Sequence, residues 1–211
     1  MAAPAPRVRT LRAPVYIVTD IEADGPTPGK NSMLSFASVA VSADGVVHGE
    51  FEAVLAPLPG AAPDPDVHAW FQTQPQAWAA ATRDPQPPAA VMAAFERWVR
   101  GFDQGRIFAA MPLAFDGMWI DHYLRRFTPR GLVEGLYVEN RLFDDAGLCL
   151  RSFAAARLGW PLWDCKPANF PPHWLGDHAH THRAIDDARG YAHLLGVLMS
   201  DHPLAPLPPA R

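Results

Sequence analysis

Residues 15–22 read VYIVTDIE, and this octet sets the architecture. Val15 to Asp20 is a short, β-branched apolar run of the kind that forms a buried strand. It ends in two acids one residue apart, Asp20-Ile21-Glu22. Successive side chains of a strand point to opposite faces, so Asp20 and Glu22 share one face about 7 Å apart along the backbone. Two carboxylates held there repel each other and resist desolvation unless a cation neutralises them; a hard divalent ion bound by oxygens meets that need. A strand-end turn over Asp24-Gly25-Pro26, with both acids in solvent, would give the same local pattern.

Outward from this strand the elements alternate in kind. Met33–Ser42 (MLSFASVAVS) is a second strand, and Asp44-Gly45 signals a turn into a third over Val46–Leu55, completing an antiparallel meander. Asp64–Pro88 is broken by prolines and carries Trp70, Phe71 and Trp78, which predicts short helical turns. Val91, Phe95, Trp98, Val99 and Phe102 recur at helical spacing across Ala89–Phe102. Arg106–Ala110 is a further strand, and a helix follows from Phe115. Arg151–Leu158 and Ala184–Met199 complete the helices. Strands first, then strand and helix in alternation, predict one α/β domain with a mixed sheet over residues 13–200. Residues 1–12 and 201–211, rich in Pro, Ala and Arg, are expected to be flexible tails.

Composition narrows the function. The 211 residues are 49% hydrophobic and 19% charged with a formal net charge of −4, so a globular protein is expected and bulk coating of duplex DNA is not. No apolar run of about 18 residues offers a membrane span, and arginines stand where a secretory signal would need its apolar core. Cys149 and Cys165 cannot build a disulfide framework and read as reduced thiols of a cytoplasmic protein. Lys30 and Lys166 are the only lysines, and proline numbers 23. With abundant alanine, this is the codon signature of a GC-rich, bacterial genome.

Two more features carry chemistry. Phe115-Asp116 opens the middle helix, where a carboxylate also serves as an ordinary cap. Along Ala184–Met199, Asp187, Tyr191, Leu194 and Leu198 form one stripe, which turns Asp187 toward the core while Asp186 faces solvent. His182 enters this helix from a loop that also bears His173, His178 and His180, so a polar surface loop explains it equally well.

The ordered set D-x-E, F-D and H-x-x-x-x-D resembles that of the DEDDh 3′–5′ exonucleases, the DnaQ-like group with a ribonuclease-H-like fold. The similarity runs from Val15 to Leu198. It includes the D-G after the acidic pair, the second strand, and the LRSFAAARLG segment at 150–159. The resemblance implies that Asp20, Glu22, Asp116 and Asp187 hold two Mg²⁺ or Mn²⁺ ions and that His182 is the general base. It implies hydrolysis of single-stranded 3′ ends to nucleoside 5′-monophosphates. It also implies, by analogy alone, a homodimer. Two departures stand out. Ile21 and Ala23 replace hydroxyl residues beside the first acids, leaving backbone groups there to meet the terminal nucleotide. Met111-Pro112 stands where the family often has histidine and asparagine.

Met33 and Leu34 are candidate wedges for the last base, and Trp70 and Phe71, with Trp78, a candidate stacking platform. Core packing explains the same residues. Arg125, Arg126 and Arg130 form a small basic cluster suited to phosphates or simply to a solvated helix end. RNA is slightly favoured over DNA, because no polymerase or second nucleic-acid-binding domain is evident. The alternatives are a DNA proofreading or repair exonuclease of the same fold, a non-catalytic nucleic-acid-binding module, and a zinc hydrolase built on His178, His180 and His182. The last leaves Asp20 and Glu22 unexplained.

Overall fold

A computed structural model describes residues 13–135, 138–178 and 180–200; both expected tails lie outside them. The meander forms as read: β1 (Val15–Ala23), β2 (Met33–Ser42) and β3 (Val47–Val54) pair antiparallel in sequence. β4 (Arg106–Ala110) then lies parallel to β1, and β5 (Leu148–Cys149) parallel to β4. The sheet order is β3-β2-β1-β4-β5, a mixed five-stranded sheet with β1 at its centre.

Helices cover both faces. α3 (Pro88–Arg100) and α4 (Leu113–Phe127) pack on the face that receives Val15, Ile17 and Ile21. α5 (Leu150–Leu158), three single-turn 3₁₀ segments between Leu162 and Leu175, and α6 (Ala184–Met199) cover the face that receives Val18. The strand period of two therefore sends the odd residues of β1 to one core and Val18, in step with Asp20 and Glu22, to the other. A small satellite core of Leu34, Phe71, Ala77 and Ala81 lies under α1 (Pro65–Gln72) and α2 (Pro75–Thr82).

Several boundaries differ from the sequence reading for identifiable reasons. The Asp64–Pro88 stretch holds two full helices because its prolines start helices rather than break them. Pro65, Pro75 and Pro88 each occupy the first turn, where a missing N–H costs nothing. Asp64 caps α1 by accepting from the Asp66 and Val67 N–H groups. α3 closes at Gly101 rather than at Phe102, and α4 begins two residues earlier than expected, at Leu113. β1 runs three residues past Asp20, because β2 continues to pair with it: Glu22 stands opposite Ser35, and a register shift follows at Ala23.

That extension positions the site. β4 stops opposite Thr19, paired through Ala110. Beyond this point β1 has lost its parallel neighbour, and the turn into α4 fills the gap. The first turns of α4 and α6 thus both arrive where Asp20 and Glu22 project. Below them the loop between β1 and β2 is tied both to itself and to the segment that follows β3. The Asp24 carboxylate accepts the Ser32 N–H at 2.5 Å, and Asn31 donates to the Ala62 carbonyl at 2.8 Å. Buried Asp24 is accounted for by this loop. The Tyr123 hydroxyl of α4 accepts the Met33 N–H at 2.8 Å, fixing the start of β2.

Candidate functional site

Four acids from three elements converge. Asp20 and Glu22 come from the end of β1, Asp116 from the first turn of α4, and Asp187 from the first turn of α6. Asp20 is 8% exposed, Asp116 and Asp187 only 3%. One carboxylate oxygen each from Asp20, Glu22 and Asp187 lies within 4.8 Å of the others.

So many buried acids in one place make the ionised state costly. Burial, reinforced by Asp116, Glu22 and Asp187, lifts the Asp20 carboxyl well above the usual carboxylate range. Burial and the charges of Asp187 and Asp116 push Glu22 up to about 8. Asp116 also rises to about 8, mainly through burial, against the opposing pull of backbone N–H groups that include those of Ile21 and Met111. Its Oδ2 is buried without a hydrogen-bond partner among the described residues. Tyr191, one turn along α6 from Asp187, is buried beside all four acids, and its hydroxyl is held protonated by that burial and by their charge. Against four acids the described residues set only the His180 imidazole, at Asp187, and the acids' donors are all hard oxygens. The chemistry of the donor set therefore fits Mg²⁺ or Mn²⁺.

The histidines divide. His180 Nδ1 lies 2.8 Å from Asp187 Oδ1, a contact that raises the His180 pKa. His182 stands off. Its ring centroid is 4.6 Å from that of His180 and 5.0 Å, edge to face, from that of Trp70. Burial and the neighbouring His180 depress its pKa, so it is neutral near pH 7. His180 is the residue of the site that the family spacing does not name; the alternation of His178, His180 and His182 is the only sequence signal for it. Of that trio, His180 and His182 group with Asp187, and His178 does not.

The loop is anchored from the sheet edge. Arg183, the N-cap residue of α6, donates to both carboxylate oxygens of Glu52 on β3 at 3.1–3.2 Å. Six residues on, Arg189 pairs with Glu50 at 2.7 Å.

The expected substrate contacts separate by burial. Trp70 is 39% exposed and touches His182, so it presents an aromatic surface beside the acids. Phe71 and Met33 are at most 1% exposed and Leu34 only 3%; all three are enclosed in the cores and present no face to a base. Trp78 is half-buried against Phe71 at 5.3 Å. Ile21 and Ala23 turn their side chains to the α3–α4 core, so they meet the site through backbone alone. The arginine cluster is largely committed elsewhere. Arg125 bonds Asp121 and the Val133 carbonyl, and Arg130 lies near Glu96 and Glu134. Arg126 borders a cleft of about 740 Å³ with Thr27, Met118 and His122.

Cys149 and Cys165 are unpaired, and no described helix is long and apolar enough to cross a membrane.

No family model and no curated protein sequence matches the chain. Solved structures do. The chain superposes on E. coli exonuclease I in a zinc-bound complex with single-stranded DNA with a TM-score of 0.61 and 16% identity, over 89% of this chain and 40% of that one. A second exonuclease I structure, described as suggesting how processivity is achieved, gives 0.63 and 15% over 87% and 40%. E. coli exonuclease I with a dT13 oligonucleotide gives 0.60 and 16% over 87% and 40%. The chain spans about 40% of the length of these proteins. At the level of fold, the resemblance read from the motifs is borne out: the chain has the ribonuclease-H-like fold that it shares with exonuclease I.

Proposed function

We propose that this chain is a divalent-metal-dependent 3′–5′ exonuclease that hydrolyses single-stranded nucleic-acid ends to nucleoside 5′-monophosphates. The observation that carries the reading is the convergence of Asp20, Glu22, Asp116 and Asp187, acids up to 167 positions apart in sequence, in one cluster that no lysine or arginine among the described residues pairs with and that only His180, at Asp187, partly balances. Binding alone does not require such a cluster, since carboxylates repel a phosphodiester backbone. A catalytic reading gives each acid a task.

Asp20, Glu22 and Asp187 would hold one divalent ion, and Asp116, through its unpartnered Oδ2, would help hold a second. When bound, such ions neutralise the acids and the phosphate and supply Lewis-acid stabilisation for its hydrolysis. The chain's own residues do the rest. Neutral His182 accepts the proton of the attacking water. Asp187 orients the histidine loop through His180 Nδ1, and Arg183–Glu52 tethers that loop to β3. Trp70, at the loop's outer side, offers a face on which a terminal base can stack. The Ile21 and Ala23 backbone groups line the same strand end.

Two of the structures of similar fold hold single-stranded DNA or a dT13 oligonucleotide, which supports DNA as the first substrate to try and gives no support to an RNA preference or to a homodimer. The test is release of mononucleotides from matched 5′-labelled DNA and RNA oligomers with Mn²⁺. Release should stop on adding chelator and in Asp20→Asn. Full activity of Asp20→Asn, or activity indifferent to chelator, would defeat the assignment.

A further inference from the structure

A second donor set lies beside the four acids. His180, His182 and Asp187 bring one ligand atom each within 4.8 Å of one another, sharing only Asp187 with the carboxylate cluster. The two sets differ in chemistry. Asp20, Glu22 and Asp187 are all oxygen, whereas this one has two imidazoles and a carboxylate, the mixture that favours zinc and its neighbours over magnesium.

The geometry is held. Thr181, between the two histidines, donates its N–H to Asp187 Oδ1 at 3.3 Å, and its hydroxyl lies 2.9 Å from Asp186 Oδ2. These bonds pin the tripeptide over the first turn of α6. His182 adopts a φ of +56°, a left-handed conformation uncommon for residues other than glycine. Trp70 also packs on its ring, edge to face at 5.0 Å. His180 keeps 39% of its side chain open to solvent, which leaves an ion a path inward.

We propose that His180, His182 and Asp187 form a site for one borderline d-block dication of the Zn²⁺ class, and that its occupation switches off hydrolysis by withdrawing His182 and Asp187. Three protein donors leave a fourth position of a tetrahedral ion open. The binding half of this proposal stands independently; the regulatory half rests on the nuclease reading.

The experiment titrates metal-stripped full-length protein with ZnCl₂ by calorimetry, alongside His180→Ala, His180→Gln, His182→Ala and Glu22→Gln. Circular dichroism confirms that each variant is folded. Co²⁺ serves as a spectroscopic probe of the same site. In wild type the tightest phase should correspond to one equivalent, ahead of any filling of the carboxylate cluster. Affinity should fall by about tenfold or more in each histidine variant, as expected for losing a ligand, and stay near wild type in Glu22→Gln. The visible Co²⁺ bands should weaken in parallel. Unchanged affinity in His180→Ala overturns the site, and loss confined to Glu22→Gln places zinc on the carboxylates instead.

In the second arm, Zn²⁺ is titrated against Mn²⁺-supported mononucleotide release, each protein being compared with its own zinc-free rate. Wild type should be inhibited and His180→Ala should resist. Equal inhibition of both overturns the regulatory half. Absence of nuclease activity in every protein overturns the proposed function and with it that half, while the calorimetry still decides whether the site exists.

Discussion

His180, rather than His182, is the histidine that hydrogen-bonds Asp187: its Nδ1 stands 2.8 Å from Oδ1, while the His182 ring packs against the rings of His180 and Trp70. The two imidazoles consequently differ in proton affinity. The carboxylate favours the cationic form of His180, and burial favours the neutral form of His182. A neutral imidazole is the one equipped to take a proton, so the kinetic roles of the pair should be separable.

Replacing His182 with alanine should slow the chemical step by about 100-fold or more, the range expected for loss of a general base. Mn²⁺ binding to the carboxylates should survive. Single-turnover rates and Mn²⁺ calorimetry on the same protein check this. Loss of Mn²⁺ binding together with activity would assign His182 a structural part instead.

The acids themselves should be less forgiving. Asp20→Asn and Asp187→Asn each exchange an anionic carboxylate of the trio that lies within 4.8 Å for a neutral amide, a much weaker ligand. Losing even an outer partner of a metal site costs about 10–100-fold, so either substitution should cost more than that in turnover and in Mn²⁺ affinity. Both variants should remain folded, because the substitution relieves repulsion among buried acids. A melting temperature well below wild type in either would show that the acids hold the fold together rather than serve a ligand.

A pH dependence follows from the same crowding. In the metal-free protein Glu22 and Asp116 titrate near 8, against ordinary values of 4.5 and 3.8. A carboxyl whose pKa is raised by folding contributes its stabilisation fully below the unfolded value and loses it as pH climbs through the folded one. Metal-free protein should therefore lose stability between about pH 4 and 8. A bound dication favours the ionised acids, so the rise in melting temperature caused by saturating Mn²⁺ should grow from pH 6 to 8.5. Thermal melts with and without Mn²⁺ across that range measure it. A constant increment would mean that the acids are already ionised.

How much of this was legible in the sequence depends on which force fixes each element. β1, β2, β4 and α6 declared themselves because their apolar periodicities match the faces they bury. β5 is two residues long and exists through its pairing with Ala109 and Ala110, so no local pattern announces it. The prolines of residues 65–88 looked like breaks and proved to be helix starts, a distinction set by backbone context that composition does not carry. Asp20, Glu22 and Asp187 were readable because a strand or helix period fixed each on a face; Asp116, which reads locally as an ordinary helix cap, joined them only through the resemblance to the DEDDh motif set. His180 was not, because a loop has no period to say which of three alternating histidines reaches Asp187. The aromatic residues show the same limit. Trp70 and Phe71 are adjacent, and only tertiary packing assigns one to the surface and the other to the core.

The Glu52–Arg183 pair gives a prediction in which activity and stability should part. Both side chains are more than 40% exposed, so the pair's worth to the fold is at most about 1 kcal/mol. Its position is what matters, since Arg183 follows His182 directly. Glu52→Gln should leave the denaturation midpoint almost unchanged and lower kcat severalfold, with little effect on KM. A stability loss with unaltered kcat would make the tether purely structural.

The Trp70–Phe71 neighbours test the assignment of surface and core most directly. Phe71 is 1% exposed and packs with Leu34, Ala77 and Ala81, so Phe71→Ala should destabilise by roughly 3–5 kcal/mol, as large buried aromatics do. Trp70→Ala opens no enclosed cavity and should cost far less in stability. It should instead weaken oligonucleotide binding by about 1–3 kcal/mol if a base stacks there, raising KM and sparing kcat at saturating substrate. Its removal also frees one side of the His182 ring, so a fall in kcat alone would assign Trp70 to holding the histidine. Urea denaturation and steady-state kinetics on the two variants distinguish these outcomes. If Trp70→Ala binds and turns over like wild type, no base rests on that ring, and the path of the strand must be sought along the Thr27–Arg126 cleft on the outer side of α4.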